Sequence, residues 1–204
     1  MGEHSLQFAA LVGSRICHDL ISPIGAINNG MELISMTGGA TSPEMSLISE
    51  SVDAANARIR FFRIAYGGQS DTQRLGHSEI MSILRDLSRG SRLHIQWTPT
   101  EELSRSEVQI AFLAIQCAEQ AMPFGGSLTI ARRGETWQLD MDSERMLIDE
   151  ELWASLKEPV DETTDDIAPV LPAHVQFLLL PMHASDKGRQ ILFERTETGA
   201  TLIV

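Results

Sequence analysis

The fold of this chain is decided by residues 6–34, which read LQFAALVGSRICHDLISPIGAINNGMELI. Apolar or small side chains recur in this stretch at alternating steps of four and three residues. Such a heptad repeat predicts one long helix that packs lengthwise against a second helix along an apolar seam. The seam residues of this first helix are Leu6, Ala10, Gly13, Cys17, Leu20, Ile24, Ile27, Met31 and Ile34.

A second helix with the same repeat is predicted after a short break. The pair Gly38-Gly39 ends the first helix, and Ser42 followed by Pro43 is a helix start signal. Because the connection is short, the two helices must run antiparallel, so residues 1–68 are predicted to form a helical hairpin domain. The seam residues of the second helix are Met45, Ile48, Val52, Ala55, Ile59, Phe62 and Tyr66.

Two helices with an apolar seam each cannot enclose a core, so the hairpin needs a further pair of helices. A second copy of the chain is the simplest source, which predicts a homodimer with a four-helix bundle on its two-fold axis. In the alternative, the second domain of the same chain covers the seam.

The second domain, residues 72–204, is predicted to be an α/β sandwich, which makes the fold class α+β. The sequence pattern after the linker Gly67–Asp71 mixes helix and strand signals, and it includes a capping box at Ser104 and Glu107. One mixed sheet covered by helices is therefore expected. Helices are predicted at 78–88, 104–121, 149–157 and 173–183, strands at 93–98, 127–131, 137–141, 190–195 and 200–204, and a loop at 159–169.

Composition and charge exclude several classes of protein. The formal net charge of −12 argues against nucleic-acid binding, which favours a basic surface. No secretory signal and no apolar run long enough to span a bilayer are apparent, so the chain is predicted to be cytoplasmic and not bound to a membrane. Cys17 and Cys117 cannot make a disulfide framework and are predicted to be buried free thiols.

His18 is the residue of the first helix that departs from the seam. It lies one step past Cys17, roughly 100° around the helix, and should therefore face solvent. Pro23 removes a helical hydrogen bond and should bend the helix just after His18. The small residues Ser14, Ser22 and Gly25 extend along the strip that contains His18 and leave room for another protein.

The string His18-Asp19-Leu20-Ile21-Ser22-Pro23 resembles the phosphoacceptor box of two-component histidine kinases. The chemistry suits such a role, because an imidazole nitrogen is a nucleophile near neutral pH. The Asp19 carboxylate can orient the ring and manage its proton, and the Ser22 hydroxyl can hydrogen-bond the ring or a phosphoryl oxygen.

Arginines are predicted to surround the level of His18. In a hairpin folded near residue 40, His18 lies opposite Arg58, Arg60 and Arg63, and Arg15 precedes it by one turn. One or two of these side chains could face a phosphohistidine or the acidic pocket of a partner. In the alternative, they form a solvated basic face near a helix C-terminus, where the macrodipole favours cations.

The second domain is similar to the ATP-binding domain of histidine kinases, but its ligand-binding motifs have decayed. Gln116 and Gln120 stand where that family has metal-binding asparagines, and the turn Asp142–Met146 keeps the aspartate but loses both glycines. The acidic segment 165–169 replaces a glycine-rich lid, and its charge would repel a triphosphate. The fold is therefore expected without ATP binding.

The hairpin and the decayed domain together resemble the ChpT family of bacterial histidine phosphotransferases over essentially the whole chain, most specifically at 11–33. The resemblance implies a homodimer that takes a phosphoryl group onto His18 from the receiver domain of a hybrid kinase. It then passes the group to receiver domains of response regulators, which control the cell cycle in that family. The magnesium ion would belong to the receiver, so no cofactor, metal or ATP of the chain's own is expected.

Two other functions remain open at the level of sequence. One is an ATP-dependent histidine kinase with an unusual nucleotide site. The other is a non-catalytic dimeric scaffold that binds signalling proteins through an inert His18.

Overall fold

The fold is described from a computed structural model, in which residues 3–37, 42–157, 171–196 and 198–204 are defined. The predicted loop 159–169, with its acidic segment 165–169, and the predicted break at Gly38-Gly39 lie outside the described residues. The helices are α1 (Glu3–Thr37), α2 (Ser42–Ala65), α3 (His77–Ser88), α4 (Arg105–Ala121), α5 (Glu150–Ala154) and α6 (Gln176–Asp186), with 3₁₀ turns at Ser155–Lys157 and Pro172–His174. The strands are β1 (Arg74–Leu75), β2 (Leu93–Trp97), β3 (Leu103–Ser104), β4 (Gly126–Arg133), β5 (Thr136–Asp142), β6 (Leu192–Arg195) and β7 (Gly199–Ile203).

The two long helices at the N-terminus pack against each other, as the heptad repeats predict. Pro23 lies inside α1 without ending it. Seam residues of both helices, among them Ile24, Met31 and Ile59, remain about half exposed within the single chain. The described part of the α/β domain therefore leaves these positions uncovered, and the alternative in which it covers the seam does not hold for them.

Cys17 is exposed in the chain, so the prediction that both thiols are buried is wrong for this residue and confirmed for Cys117. The reason is that burial of Cys17 depends on what covers the seam, whereas Cys117 lies in the middle of α4 under the sheet. None of the described helices is both long and apolar enough to cross a membrane.

The mixed sheet predicted for the second domain is confirmed, with five strands in the order β2-β4-β5-β7-β6. Strands β2 and β4 run parallel, and the other neighbouring pairs run antiparallel. Alternate residues of β4 and β5, such as Leu128, Ile130 and Leu139, point into the core and are fully buried. The two-residue strands β1 and β3 form a separate antiparallel pair that the sequence did not predict.

The last turns of α2 belong to the same core as the α/β domain. Phe61 stacks on Phe112 of α4, with ring centroids 4.5 Å apart and the planes within 4° of parallel. Phe61, Ile64 and Ala65 are each no more than 1% exposed. Aromatic packing thus anchors the C-terminal end of α2 to the core of the α/β domain.

The linker after α2 is also fixed by polar contacts. The Gln109 amide donates to the carbonyls of Ala65 at 3.1 Å and Gly67 at 2.8 Å. The Asp71 carboxylate accepts from the Ser106 hydroxyl and from Lys187 Nζ at 2.5 Å, and these two partners lower its pKa. The glycine-rich linker therefore holds a defined position between hairpin and sheet.

The capping box at the start of α4 is half formed. Ser104 is the N-cap, and its hydroxyl accepts from the Glu107 amide at 3.4 Å, as predicted. The Glu107 carboxylate does not return to the N-cap; it accepts from Trp137 Nε1 at 3.1 Å and from Arg189 at 2.7 Å, and lies 3.5 Å from Arg132. Partners distant in sequence have replaced the local one.

Candidate functional site

His18 projects from the flank of α1 into solvent, as the one-step offset from the seam predicts. Its side chain is 79% exposed, and its Nδ1 lies 3.2 Å from Oδ1 of Asp19. A carboxylate can only accept a hydrogen bond, so Nδ1 carries the proton in the neutral ring and Nε2 holds the free electron pair. Nε2 makes no hydrogen bond within the described residues, which leaves it open to a reactant.

Asp19 is the centre of the site. Its side chain is only 9% exposed, and its second oxygen, Oδ2, accepts from Nε of Arg15 at 3.1 Å. Arg15 Nη2 lies at 3.1 Å and Arg58 Nη1 at 3.5 Å from the same oxygen. One oxygen of the carboxylate therefore faces two guanidinium groups and the other faces the histidine ring, which fixes the orientation of the carboxylate.

Arg15 also reaches the second domain. Its Nη1 donates a hydrogen bond of 2.6 Å to the backbone carbonyl of Ala173, in the 3₁₀ turn that precedes α6. Because the side chain is 15% exposed and each of its three nitrogens contacts Asp19 or Ala173, little of the guanidinium faces solvent.

Two further titratable groups lie close to this cluster. Burial raises the pKa of Glu119 on α4, while Arg58 and Arg15 act to lower it. Burial likewise raises the pKa of Tyr66, whose hydroxyl donates to Oε1 of Gln116 at 2.7 Å. The end of the hairpin and the face of α4 thus form one continuous polar junction beside Asp19.

The other arginines predicted near His18 are directed elsewhere. Arg60 forms an ion pair with Asp86 of α3. Arg63 is exposed in the last turn of α2, and its backbone carbonyl accepts from Arg105. Only Arg15 and Arg58, of the four predicted arginines, are therefore brought to Asp19.

The small residues of the predicted strip lie along the same helix. Ser14 and Ser22 are exposed, one turn on either side of His18. A Cβ atom added to Gly25 would meet no atom within 4 Å. The side chains around His18 are therefore small and leave its ring accessible. Ser22 makes no hydrogen bond to the ring in the described part of the chain.

In the region that resembles a nucleotide site, several of the chain's own side chains contact one another, and a cleft of about 500 Å³ remains open at the turn Asp142–Met146. Gln116 is buried beneath Tyr66, and Gln120 lies 3.3 Å from Nε2 of His174. Arg145 packs over the Phe124 ring at 4.4 Å. A cleft of about 460 Å³ remains between the end of α4 and α5.

The turn that resembles the family's aspartate motif is held by a serine. Ser143 donates its hydroxyl to the Gly125 carbonyl at 2.7 Å. A Cβ at Gly125, whose φ is +97°, would lie 2.5 Å from the Arg92 carbonyl oxygen, so this glycine is needed for the close approach of two loops. Within the described residues, no group of three or more His, Cys, Asp or Glu is placed to hold a metal ion.

The sequence did not point to three groups at this junction. Ala173 contributes only a backbone carbonyl, which leaves no sequence signal. Glu119 is one of two acids in the mostly apolar helix α4, and Tyr66 is the chain's single tyrosine. Both could have been noticed as unusual for their positions, but the sequence could not tell that Glu119 lies near Arg58 and Arg15 or that Tyr66 bonds Gln116 of α4.

Comparison with known proteins gives consistent matches. The family model described as the histidine phosphotransferase C-terminal domain matches residues 77–199. Protein phosphotransferase ChpT of Brucella abortus (strain 2308) is 36% identical over 133 residues, which cover 64% of this chain and 63% of that protein. The match thus spans less than two thirds of the curated relative's length.

The solved structures include a chain of the same architecture. The structure described as a bacterial phosphotransferase at 1.7 Å superposes with a TM-score of 0.80 and 26% identity, over 100% of this chain and 97% of that one. The histidine kinase AdeS of Acinetobacter baumannii matches with a TM-score of 0.45 and 11% identity, over 91% of this chain and 95% of that one.

Proposed function

The chain belongs to the ChpT-type histidine phosphotransferases, and on that premise we propose that it relays phosphoryl groups through His18. In this proposal a hybrid histidine kinase donates the group from its receiver aspartate, and receiver domains of response regulators accept it. The observation that carries the proposal is the exposed His18 ring, held through Nδ1 by the nearly buried Asp19. Such a relay would operate in the cytoplasm and would need no ATP at this chain.

The proposed transfer is a direct displacement at phosphorus. Nε2 of His18 attacks the phosphoryl group of the receiver's aspartyl phosphate, and the N–P bond forms as the bond between phosphorus and the aspartate oxygen breaks. The electron pair of the broken bond stays on the receiver carboxylate. Because the transition state of phosphoryl transfer is loose, positioning and charge neutralisation provide most of the catalysis.

Asp19 supports this step from the far side of the ring. It holds the Nδ1–H tautomer, and its negative charge stabilises the positive charge that develops on the imidazole when Nε2 is phosphorylated. The receiver supplies the metal ion that neutralises the phosphoryl oxygens. The same groups act in reverse when the phosphoryl group passes on to the next receiver.

Homodimerisation through the hairpin is part of the proposal. The exposed seam residues include Ile24, Met31 and Ile59, whose residue surfaces are 50%, 57% and 49% exposed. Monomeric proteins rarely leave such a continuous apolar stripe in water. A second copy of the hairpin would bury the stripe in a four-helix bundle and leave His18 on the outer flank.

The proposal excludes ATP as a substrate of this chain. The residues at the former nucleotide site do not suit a triphosphate, because Gln116 is buried and already bonded to Tyr66. The turn Asp142–Met146 has side chains where close approach of a nucleotide would need glycine.

Phosphotransfer from a receiver domain phosphorylated in advance, without ATP, tests the proposal. We expect label to reach the wild-type chain as an acid-labile, base-stable adduct. His18→Ala should lose all transfer, while His94→Ala, which removes an exposed histidine of β2, should transfer like the wild type.

Two other results would each replace the proposal. Self-labelling with ATP, together with nucleotide binding in a calorimeter, would indicate a histidine kinase. The absence of label from a panel of receivers, together with no ATP binding, would leave a dimeric scaffold.

A further inference from the structure

Arg15 connects Ala173 of the α/β domain to Asp19 of the hairpin and, through Asp19, to the ring of His18. Its Nε and Nη2 contact Oδ2 of Asp19, each at 3.1 Å. Its Nη1 donates to the carbonyl of Ala173 at 2.6 Å, across 158 positions of the chain. Asp19 in turn holds Nδ1 of His18 at 3.2 Å. A continuous path of hydrogen bonds therefore runs from the α/β domain to the exposed ring.

We propose that Arg15 is a positioning residue for His18, which transmits the placement of the α/β domain to the ring through Asp19. Its role in transfer rests on the proposed function, whereas its role in orienting the ring does not. Arg15 is then neither a phosphoryl-binding nor a receiver-binding group, because its donors face Asp19 and Ala173. In this arrangement the α/β domain has a role in positioning, because its Ala173 carbonyl holds the Arg15 side chain.

The shape of the guanidinium group explains why arginine is required. Its planar fork presents donors in two directions, so one side can hold a carboxylate while the other holds a carbonyl. A lysine at this position carries the same charge but ends in a single nitrogen, which cannot keep both contacts at these distances. Arg15→Lys therefore separates the link to Ala173 from the charge beside Asp19.

Arg58 provides the internal comparison. It approaches the same Oδ2 of Asp19, but at 3.5 Å and with a side chain that is 43% exposed. It belongs to the hairpin and has no hydrogen bond to Ala173 within the described residues. Arg58→Lys thus replaces a guanidinium group beside Asp19 by an ammonium group, as Arg15→Lys does. It leaves the connection between Arg15 and the α/β domain in place.

The test compares Arg15→Lys, Arg58→Lys and the control Arg85→Ala in the full chain. Arg85 is an exposed arginine of α3 that makes no hydrogen bond or ion pair with Asp19 within the described residues. Single-turnover transfer from a phosphorylated receiver gives the rate at saturation and the receiver concentration at half-saturation. Long-range ¹⁵N–¹H correlation spectra of the imidazoles give the tautomer of His18 without any receiver.

We expect Arg15→Lys to lower the saturating rate about tenfold, since positioning hydrogen bonds to charged groups have effects of this order. The half-saturating concentration should change less than about twofold, because binding of the receiver is not affected. The Nδ1–H tautomer of His18 should lose population in Arg15→Lys. Arg58→Lys should change the saturating rate and the tautomer population by less than half as much. Arg85→Ala should change neither of these two quantities.

Equal effects of Arg15→Lys and Arg58→Lys would overturn the proposal, since the link to Ala173 would then have no role of its own. A lowered melting temperature in Arg15→Lys with an unchanged His18 spectrum would also overturn it, because the contact would be merely structural. If the wild type accepts no phosphoryl group, the proposed function fails, and the tautomer comparison still decides the role of Arg15.

Discussion

Two carboxylates in this chain are each held by two arginines and face one nitrogen of an aromatic ring. In the hairpin, Asp19 lies between Arg15 and Arg58 and contacts His18, whose side chain is 79% exposed. In the α/β domain, Glu107 lies between Arg132 and Arg189 and accepts from Trp137.

The difference between the two clusters is the exposure of the ring. Trp137 is fully buried, so the contact with Glu107 can only satisfy a polar group inside the core. The His18 ring has one nitrogen held and the other without a partner in the described residues, so under the proposed function the contact with Asp19 orients a nucleophile. The same set of charges would then serve stability in one place and reactivity in the other.

Asp19→Asn is expected to have the largest effect on transfer. An asparagine can keep a hydrogen bond to the ring, but it cannot oppose the positive charge of the phosphorylated imidazole. The transfer rate should fall about hundredfold, within the usual range for a group that assists proton management. Single-turnover transfer from a phosphorylated receiver measures this loss, and a rate within threefold of wild type would contradict it.

Glu107→Gln is expected to show the opposite pattern. Removal of the charge leaves the nearly buried Arg189 without a counterion within the described residues and leaves Arg132 only the distant Glu101, 3.9 Å away. This should lower the free energy of unfolding by about 3 kcal/mol. Urea denaturation measures this change. Transfer measured well below the melting temperature should stay within about twofold of wild type, and a larger loss there would show that the two clusters are not separable.

Met31→Glu is expected to separate the proposed dimer. Each dimer would bury two copies of this seam residue, and burial of one methionine contributes roughly 2 kcal/mol. Light scattering at micromolar concentration should give the mass of one chain for Met31→Glu and of two chains for the wild type. Leu147→Glu, which charges an equally exposed apolar residue of the α/β domain, should leave the wild-type mass unchanged; a dimeric Met31→Glu would place the interface elsewhere.

The smallest expected effect is a loss of stability in mild acid. Burial lowers the pKa of His183 and of His174 from the ordinary 6.5, with Asp186 and Asp149 acting in the other direction. The unfolded chain therefore takes up protons near pH 6.5 before the folded chain does, so stability is full above that pH and falls as the pH drops through the lowered values.

Melting temperatures between pH 7.5 and 5.5 should therefore fall more for the wild type than for His183→Gln. The comparison between the two proteins is needed because Glu119, whose pKa burial raises, shifts stability in the opposite direction with pH. Identical slopes for both proteins would contradict the contribution of His183.

The sequence predicts the regular part of this molecule well, because local rules decide it. Heptad spacing gives the two long helices, and the position of His18 one step off the seam gives its exposure. Alternation of apolar residues gives β4 and β5 nearly to their ends. Each of these predictions needs only the period of a helix or a strand.

The sequence fails where a residue's partner is distant. Glu107 bonds Trp137 and Arg189, 30 and 82 positions away, in place of the nearby N-cap. Cys17 is exposed because none of the described residues of its own chain covers the seam there. The contact between Arg15 and Ala173 uses a backbone carbonyl, which every residue has, so no pattern of side chains could have indicated it.

The stacking of Phe61 on Phe112 has a consequence for the use of this hairpin as a portable unit. A fragment that ends at the glycine pair 67–68 would retain His18 and the seam, but it would expose Phe61, Phe62 and Ile64, which are buried in the complete chain. The remaining fragment would lose the aromatic cover of α4 at the same time. Recombination or truncation in the linker therefore exposes core residues on both pieces. The hairpin and the α/β domain need to be kept together.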